Sequence, residues 1–204
     1  MSEKHKTIGV DLKRRKILTG VTGVVGAVGA TFVAVPFVSS WQPSEKAKAA
    51  GAPVDIDISK MQPGQMLTVA WRGKPVWVVR RTPDMLANLP ASDAQLRDPD
   101  SQESLQPAYC QNSSRAVNDE YFVVVGICTH LGCAPLYRPA IGSPDVGADW
   151  QGGFFCPCHG SRFDLAGRIF KSLPAPTNLE IPPHYYRTTT LIRVGEDPQT
   201  EGVA

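Results

Sequence analysis

The pattern of apolar and polar positions first separates a long uncharged run near the N-terminus from the rest of the chain. Residues 17–38 contain no charged side chain over 22 positions, and the one proline in that run, Pro36, stands near its end. A helix of that length rises roughly 33 Å, which matches a hydrocarbon core of about 30 Å. The run therefore predicts a transmembrane anchor over 17–38. A cleaved secretory signal is the alternative, although its apolar region is ordinarily only about 7–15 residues long.

A polar, alanine-rich segment follows over residues 39–53. It has no apolar face wide enough to pack as a core helix, and Trp41 stands where aromatic side chains are expected at a membrane interface. The composition by itself indicates an ordinary linker.

Residues 54–204 show the short apolar, β-branched runs of a mainly β domain. Met66–Trp71 and Pro75–Arg80 flank Arg72-Gly73-Lys74 and predict a hairpin, and Tyr121–Ile127 predicts a buried strand that leads directly to Cys128. The other predictions are a short helix at Pro83–Leu89 after Thr82, a surface excursion over 90–107, a hairpin formed by Arg162–Leu165 and Arg168–Phe170, a closing strand at Leu191–Val194 and a loose tail at Gly195–Ala204. The expected fold is an antiparallel-sheet domain with a small subdomain carrying its site.

Charge changes this picture only at the N-terminus. Residues 1–38 carry six basic and two acidic residues, whereas residues 39–204 carry fifteen basic and seventeen acidic ones. The folded part thus lacks the basic excess of a nucleic-acid-binding domain. The cluster Lys13–Lys16 places residues 1–16 in the cytoplasm by the positive-inside rule. Arg14-Arg15 also resembles a twin-arginine export signal, unless both arginines merely belong to the positive flank.

Two short boxes carry the candidate chemistry: Cys128-Thr129-His130-Leu131-Gly132-Cys133 and Cys156-Pro157-Cys158-His159-Gly160-Ser161. Each offers one cysteine and one histidine at ligand spacing, together with a further cysteine. A structural zinc site needs only four such ligands, but zinc boxes usually repeat C-x2-C or H-x3-5-H spacing, which neither box contains. The inventory suits a 2Fe–2S cluster held by two thiolates and two imidazoles.

Both boxes resemble those of the Rieske iron–sulfur proteins, in which two histidines replace two cysteines on one iron of the cluster. The resemblance implies the following assignments: Cys128 and Cys156 bind one iron, His130 and His159 bind the other, and Cys133 and Cys158 form a disulfide. Such centres have potentials of roughly −150 to +300 mV, against about −400 mV for plant-type clusters, because neutral ligands remove negative charge. A potential in that range allows electron acceptance from a quinol.

Three further segments resemble the iron–sulfur subunits of quinol–cytochrome c reductases, the respiratory cytochrome bc complexes: Ala49–Pro53, Pro63–Gln65 and Leu173–Leu179. The resemblance implies an oxidoreductase and translocase subunit. Its domain would take one electron from quinol at cytochrome b, swing on a flexible hinge formed by residues 39–53 and pass the electron to a c-type cytochrome. The resemblance also implies that the complex is a dimer and that a proline loop over 173–177 covers the cluster.

The resemblance assigns further roles around the cluster. His159 would face quinol, accepting a hydrogen bond from its hydroxyl so that electron and proton transfer are coupled. Leu131 and Pro174 would shield the tip and form the docking contact, and Gly132 belongs to the same surroundings. Ser161 would offer its hydroxyl to a bridging sulfide.

The chain departs from that family at two places. Phe163 stands where many members have a tyrosine that hydrogen-bonds a ligand sulfur, and the 22 residues between the boxes, Ala134–Phe155, form a longer insert than expected. Cys110 is expected to be a buried thiol without a partner, and His5 and His184 are expected to be solvated surface residues.

The predicted location is the bacterial inner membrane, with a single span and the cluster domain on the periplasmic side. A disulfide persists there but rarely in the cytosol. The alternative function is the Rieske small subunit of a periplasmic oxidase such as arsenite oxidase. Such a subunit would keep a twin-arginine signal but need not show the hinge or the docking loop.

Overall fold

A computed structural model describes Gly9 and residues 11–198, and the chain divides into one unit that ends at Lys48 and a second that begins at Ala49. In the first unit, helix α1 spans Leu12–Ser40. Asp11 caps it, because its carboxylate accepts from the backbone N–H groups of Lys13 at 3.0 Å and Arg14 at 3.2 Å. The helix is long and apolar enough to cross a membrane, and the predicted anchor lies within it.

The segment predicted as a hinge is partly helical. Helix α2 spans Glu45–Gly51, and the Ser44 hydroxyl accepts from the backbone N–H of Ala47 at 3.2 Å at its start. Lys48 pairs with Glu45 at 2.8 Å on its exposed surface. The predicted hinge over 39–53 therefore contains a short helix, which its alanine-rich composition supports.

In its described part the second unit contains three antiparallel three-stranded sheets, as the sequence predicted. The strands are β1 (Val54–Asp57), β2 (Met66–Trp71), β3 (Lys74–Arg80), β4 (Tyr121–Val125), β5 (Leu136–Arg138), β6 (Gly153–Phe155), β7 (Arg162–Phe163), β8 (His184–Thr188) and β9 (Leu191–Val194). The sheet orders are β1-β9-β8, β2-β3-β4 and β5-β6-β7. A short helix α3 (Pro83–Ala87) begins after Thr82, whose hydroxyl accepts from the backbone N–H of Met85.

The sheet β2-β3-β4 lies between two hydrophobic cores. On β4, Phe122 and Val124 belong to the first core and Val123 to the second, as the two-residue period of a strand requires. On β3, Trp77 and Val79 likewise belong to the first core. The first core also contains the buried cysteines of both boxes, so the candidate site rests directly on it.

The sheet β5-β6-β7 places the two boxes next to each other. The first box connects β4 to β5, and the second connects β6 to β7. Because Leu136 pairs with Phe155 across β5 and β6, the end of the first box and the beginning of the second emerge at the same edge. This sheet is the cluster-binding subdomain of the predicted fold.

The segment 90–107 lies largely on the surface, as its polar composition predicted, but several buried residues anchor it to the domain. Leu96 is 1% exposed, and it pairs with Phe170 in a short bridge. The side-chain amide of Asn178 donates to the Asp98 carbonyl and to the Ser101 hydroxyl, each at 2.9 Å. Composition does not reveal these anchoring contacts.

Two other expectations, for His184 and for the C-terminal tail, need correction, and the long insert has structure of its own. His184 is buried, not solvated, and its Nδ1 lies 2.8 Å from the Pro182 carbonyl oxygen. Within the long insert, β5 and β6 occupy the ends, and Trp150 is buried with its indole N–H donating to the Arg138 carbonyl at 2.9 Å. At the tail, the Tyr109 hydroxyl donates to Asp197 at 3.0 Å. His5 and residues 199–204 lie outside the described residues.

Candidate metal centre

The first box folds into a loop, loop one (residues 128–133), closed by its own backbone. The Cys128 N–H donates to the Cys133 carbonyl at 2.8 Å, and the Gly132 N–H donates to the Cys128 carbonyl at 3.0 Å. Gly132 has a φ of +82°, which side chains other than glycine rarely adopt. An added Cβ would meet no atom within 4 Å, so lack of space does not account for the glycine. The positive φ is the feature that favours glycine at this position.

The second box forms loop two (residues 156–161) with the same backbone pattern. The Cys156 N–H donates to the Ser161 carbonyl at 2.8 Å, and the Gly160 N–H donates to the Cys156 carbonyl at 2.9 Å. Gly160 has a φ of +75°. Each loop thus starts with a buried cysteine and turns back over it four residues later.

The two leading cysteines lie against each other beneath the loops. Cys128 and Cys156 are both 2% exposed, and their thiols are within hydrogen-bond contact. Burial raises the pKa of Cys128, whereas hydrogen bonds from the His130 backbone N–H and from the Ser161 hydroxyl lower it. A bound metal ion would remove both thiol protons and relieve the close contact of the two sulfurs.

The two box histidines also lie together, on the outer side of the loops. The ring centroids of His130 and His159 are 4.7 Å apart, and the rings are nearly perpendicular at 86°. His130 is partly buried and His159 is exposed. The structure therefore brings the predicted ligands together as a pair of thiols inside and a pair of imidazoles outside.

The remaining box cysteines, Cys133 and Cys158, form a disulfide, as the sequence resemblance implied. The sulfur atoms of Cys133, Cys156 and Cys158 all lie within 4.8 Å of one another. This trio does not constitute a metal-binding group, because two of its sulfurs are already bonded to each other. The disulfide instead ties the two loops together immediately beside Cys156.

The predicted proline loop, Leu173–Thr177, is hydrogen-bonded to both cluster loops. The Thr129 hydroxyl donates to the Thr177 carbonyl at 2.7 Å, and the Ala175 N–H donates to the Ser161 hydroxyl oxygen at 3.2 Å. Ala175 is completely buried, while Pro174 is exposed. The loop thus lies over Ser161 and presents its prolines to the outside.

Phe163 and Leu131 occupy opposite kinds of position. Phe163 is completely buried in the first core, together with Cys128 and Cys156. Its ring carries no donor, so it offers no hydrogen bond to either sulfur. Leu131, which follows His130, is 72% exposed. It places an apolar side chain on the outer surface of loop one.

Sequence reasoning missed three buried arginines that support the turn after loop two. Arg115 donates to the carbonyls of Ala166, Gly167 and Leu179, and burial lowers its pKa to about 10. Arg81 donates to the Leu165 carbonyl at 3.2 Å.

The third of these arginines, Arg168, forms a buried ion pair with Asp164 at 2.8 Å. No sequence motif marks these positions, since their partners are mainly backbone carbonyls distant along the chain.

The donor set fits a [2Fe-2S] cluster. Two neighbouring thiols and two neighbouring imidazoles would each serve one iron, and each of the two matching loops supplies one thiol and one imidazole.

Comparisons with known proteins match nearly the whole chain. The family model described as the Rieske [2Fe-2S] domain matches residues 53–183, and the one described as "Ubiquitinol-cytochrome C reductase Fe-S subunit TAT signal" matches residues 4–44. The ubiquinol–cytochrome c reductase iron–sulfur subunit of Allochromatium vinosum is 60% identical over 189 residues, covering 93% of this chain and 91% of that protein.

Two further similarities agree with these. The subunit of the same name from Blastochloris viridis is 42% identical over 185 residues, covering 89% of this chain and 92% of that protein. Among solved structures, a chain described as "Hyperthermophilic respiratory Complex III" is 30% identical with a TM-score of 0.46, covering 86% of this chain and 98% of the other.

Proposed function

The chain belongs to the Rieske [2Fe-2S] family and, within it, to the ubiquinol–cytochrome c reductase iron–sulfur subunits, and from this premise we propose how its residues serve that reductase. When bound, the cluster supplies one-electron acceptance and donation. Cys128 and Cys156 hold one iron, and His130 and His159 hold the other. The observation that carries this proposal is that the boxes supply both a pair of buried cysteines and a pair of imidazoles whose centroids are 4.7 Å apart. Relatives bearing the reductase name favour this role over that of a periplasmic oxidase subunit.

His159 is the side chain that meets quinol in this proposal. It is exposed, whereas His130 is partly buried. An imidazole has two nitrogens, so the nitrogen of His159 that is not bound to iron is left to accept a hydrogen bond from the quinol hydroxyl and then its proton. Electron and proton uptake are coupled because both occur at the same ligand.

Docking to the cytochrome b subunit is assigned to the apolar tip. Leu131 is 72% exposed and adjoins His130, and Pro174 is exposed on the covering loop. Apolar side chains with no intramolecular role at such exposure are expected to be buried against a partner. After docking there, the domain would move on the tether 39–53 to a c-type cytochrome of the same complex, which we expect to be dimeric.

Charge and the match to an export signal support the proposed sidedness. Lys13–Lys16 precede the apolar part of α1, and the positive-inside rule favours a cytoplasmic N-terminus with the second unit on the periplasmic side of the inner membrane. The twin-arginine signal match over residues 4–44 supports export of a domain already folded around its cofactor. An oxidising periplasm also suits the disulfide between Cys133 and Cys158.

The test uses EPR spectra of reduced membranes with and without an inhibitor of the quinol-oxidation site. The parent spectrum should change when the inhibitor is added, because the inhibitor occupies the site where the domain docks. Leu131→Ser should keep the signal amplitude but lose most of that response and most quinol–cytochrome c reductase activity. Leu105→Ser is the matched control, since Leu105 is 73% exposed and lies outside both loops. A parent spectrum that ignores the inhibitor would contradict the docking assignment.

A further inference from the structure

The proline loop is held from outside by a single arginine. The Arg97 guanidinium donates through Nη1 to the carbonyls of Ala175 and Pro176, each at 3.1 Å, and through Nη2 to the Leu173 carbonyl at 3.2 Å. Three carbonyls of one short loop thus point at one side chain.

The loop needs such a donor because of its own sequence. Pro174 and Pro176 have no N–H, and the residues before them, Leu173 and Ala175, are pushed towards extended backbone. The loop therefore cannot satisfy its carbonyls by forming a regular turn. A guanidinium has five N–H donors in a rigid plane and can serve three carbonyls at once, whereas a lysine ammonium is a point donor on a flexible stem.

Arg97 is itself presented from a fixed position. Its backbone N–H donates to the Ile169 carbonyl at 2.9 Å, and the preceding Leu96 is 1% exposed and paired with Phe170. The Arg97 side chain reaches the surface, but its backbone is fixed by these contacts to Ile169 and Phe170.

Ala175 connects this clamp to the cluster loops. Its carbonyl accepts from Arg97, and its N–H donates to the Ser161 hydroxyl oxygen at 3.2 Å. Ser161 ends loop two and is completely buried. Because the Ala175 N–H occupies an acceptor position of the hydroxyl, the Ser161 proton is left to donate to a sulfur of the centre. Hydrogen bonds thus connect Arg97 through Ala175 to Ser161 of loop two.

We propose that Arg97 is a positioning residue for the iron–sulfur centre, which holds the proline loop so that Ala175 orients the Ser161 hydroxyl towards the sulfurs of the centre. This inference rests on the proposed role of the two boxes as the cluster-binding loops. A hydrogen bond to a cluster sulfur stabilises the extra negative charge of the reduced state, so Arg97 keeps the midpoint potential high without touching the cluster.

The experiment compares Arg97→Gln and Arg97→Lys with Lys171→Gln in the full chain. Lys171 is the matched control because its Nζ donates to the Ala94 carbonyl at 2.8 Å and to no carbonyl of the proline loop. Hydrogen–deuterium exchange of the 173–177 peptide reports the clamp, since Ala175 supplies the only N–H between the two prolines. We expect exchange about tenfold faster in both Arg97 variants and unchanged exchange in Lys171→Gln.

Redox titration of the same variants reports the effect on the centre. Both Arg97 variants should have a lower midpoint potential, including Arg97→Lys, which keeps the charge but not the planar fork. Arg97→Lys with parental exchange and parental potential would overturn the clamp, because charge alone would then account for the residue. Parental exchange in Arg97→Gln would overturn it as well.

A Ser161→Ala background tests the path. If Arg97 acts through Ser161, Arg97→Gln should lower the potential no further there, and a full additional fall would overturn the relay. The exchange measurement does not depend on the ligand assignment. A failure of the proposed ligands, seen as a cluster signal retained in Cys128→Ala, is therefore distinguishable from a failure of the clamp.

Discussion

Loops one and two share one backbone design but use their hydroxyl groups in opposite ways. Each has a leading cysteine whose N–H and carbonyl bond within the loop and a glycine at positive φ. In loop one, the Thr129 hydroxyl donates its proton to the Thr177 carbonyl. In loop two, the Ser161 hydroxyl accepts from the Ala175 N–H, which leaves its proton free to donate to the centre. The proline loop thus accepts the hydroxyl proton of loop one at the Thr177 carbonyl, and it donates to the hydroxyl oxygen of loop two through the Ala175 N–H.

The loops also differ in exposure. His130 of loop one is partly buried behind exposed Leu131, whereas His159 of loop two is exposed. In the proposed function, this difference gives the docking contact to loop one and the quinol contact to loop two. Similar backbones would then provide equal ligation, while side chains and burial would separate docking, proton acceptance and tuning of the potential.

The largest expected effect is equal for both loops. Alanine at Cys128, His130, Cys156 or His159 should abolish the Rieske EPR signal, because each loop supplies one ligand to each iron. Cys110→Ala is the control, since Cys110 is a buried thiol outside the loops and should leave the signal in place. A full-amplitude signal from any one of the four ligand variants would remove that residue from the ligand set.

Separating the loops should have the next largest effect. Replacing both Cys133 and Cys158 by serine removes the covalent link between loops whose cysteines are 25 residues apart. We expect the free energy of unfolding to fall by about 2–4 kcal/mol, because the unfolded chain regains conformational freedom. Thermal unfolding under oxidising conditions measures this, and an unchanged melting temperature together with unchanged cluster retention would show that the two loops are held together by other contacts.

The different use of the two hydroxyls predicts unequal shifts in midpoint potential. Ser161→Ala should lower the midpoint potential by several tens of millivolts. The lost hydrogen bond differs by about 1 kcal/mol between the two redox states, and about 1.4 kcal/mol corresponds to about 59 mV for a one-electron couple. Thr129→Val should have a clearly smaller effect, because the Thr129 proton already serves Thr177. Redox titration of both variants decides the matter, and equal shifts would mean that the two loops are not distinguished in this way.

The smallest predicted effect sharpens the same contrast at Phe163. Phe163→Tyr should raise the midpoint potential, because the new hydroxyl would donate to a ligand sulfur. The gain should be smaller than the loss in Ser161→Ala, since Phe163 is completely buried and a hydroxyl must be accommodated in a packed core. A potential at or below that of the parent would show that the hydroxyl does not reach sulfur.

Local signals in the sequence were sufficient for much of this architecture. The spacing of cysteine, histidine and glycine in the boxes predicted both loops, and the apolar, β-branched runs Met66–Trp71 and Tyr121–Ile127 predicted two strands of the domain. Both features depend on residues that are close along the chain.

Long-range contacts were not predictable in the same way. Arg97, Arg115 and Arg168 bind carbonyls or carboxylates that come near only in the folded domain, and a carbonyl is present at every residue whatever its side chain. The burial of His184 and of the segment around Leu96 has the same origin. Polar composition predicted exposure there, but internal hydrogen bonds and backbone pairing allow burial.

The central claim is that one histidine from each loop binds the cluster. Pulsed EPR of the reduced protein labelled with ¹⁵N-histidine tests it most directly, since each bound imidazole contributes a coupled nitrogen. The chain has four histidines, so His5→Gln serves as a variant that should leave the spectrum unchanged. We predict two coupled imidazole nitrogens, assigned to His130 and His159. Couplings from one histidine only, or from none, would contradict the account.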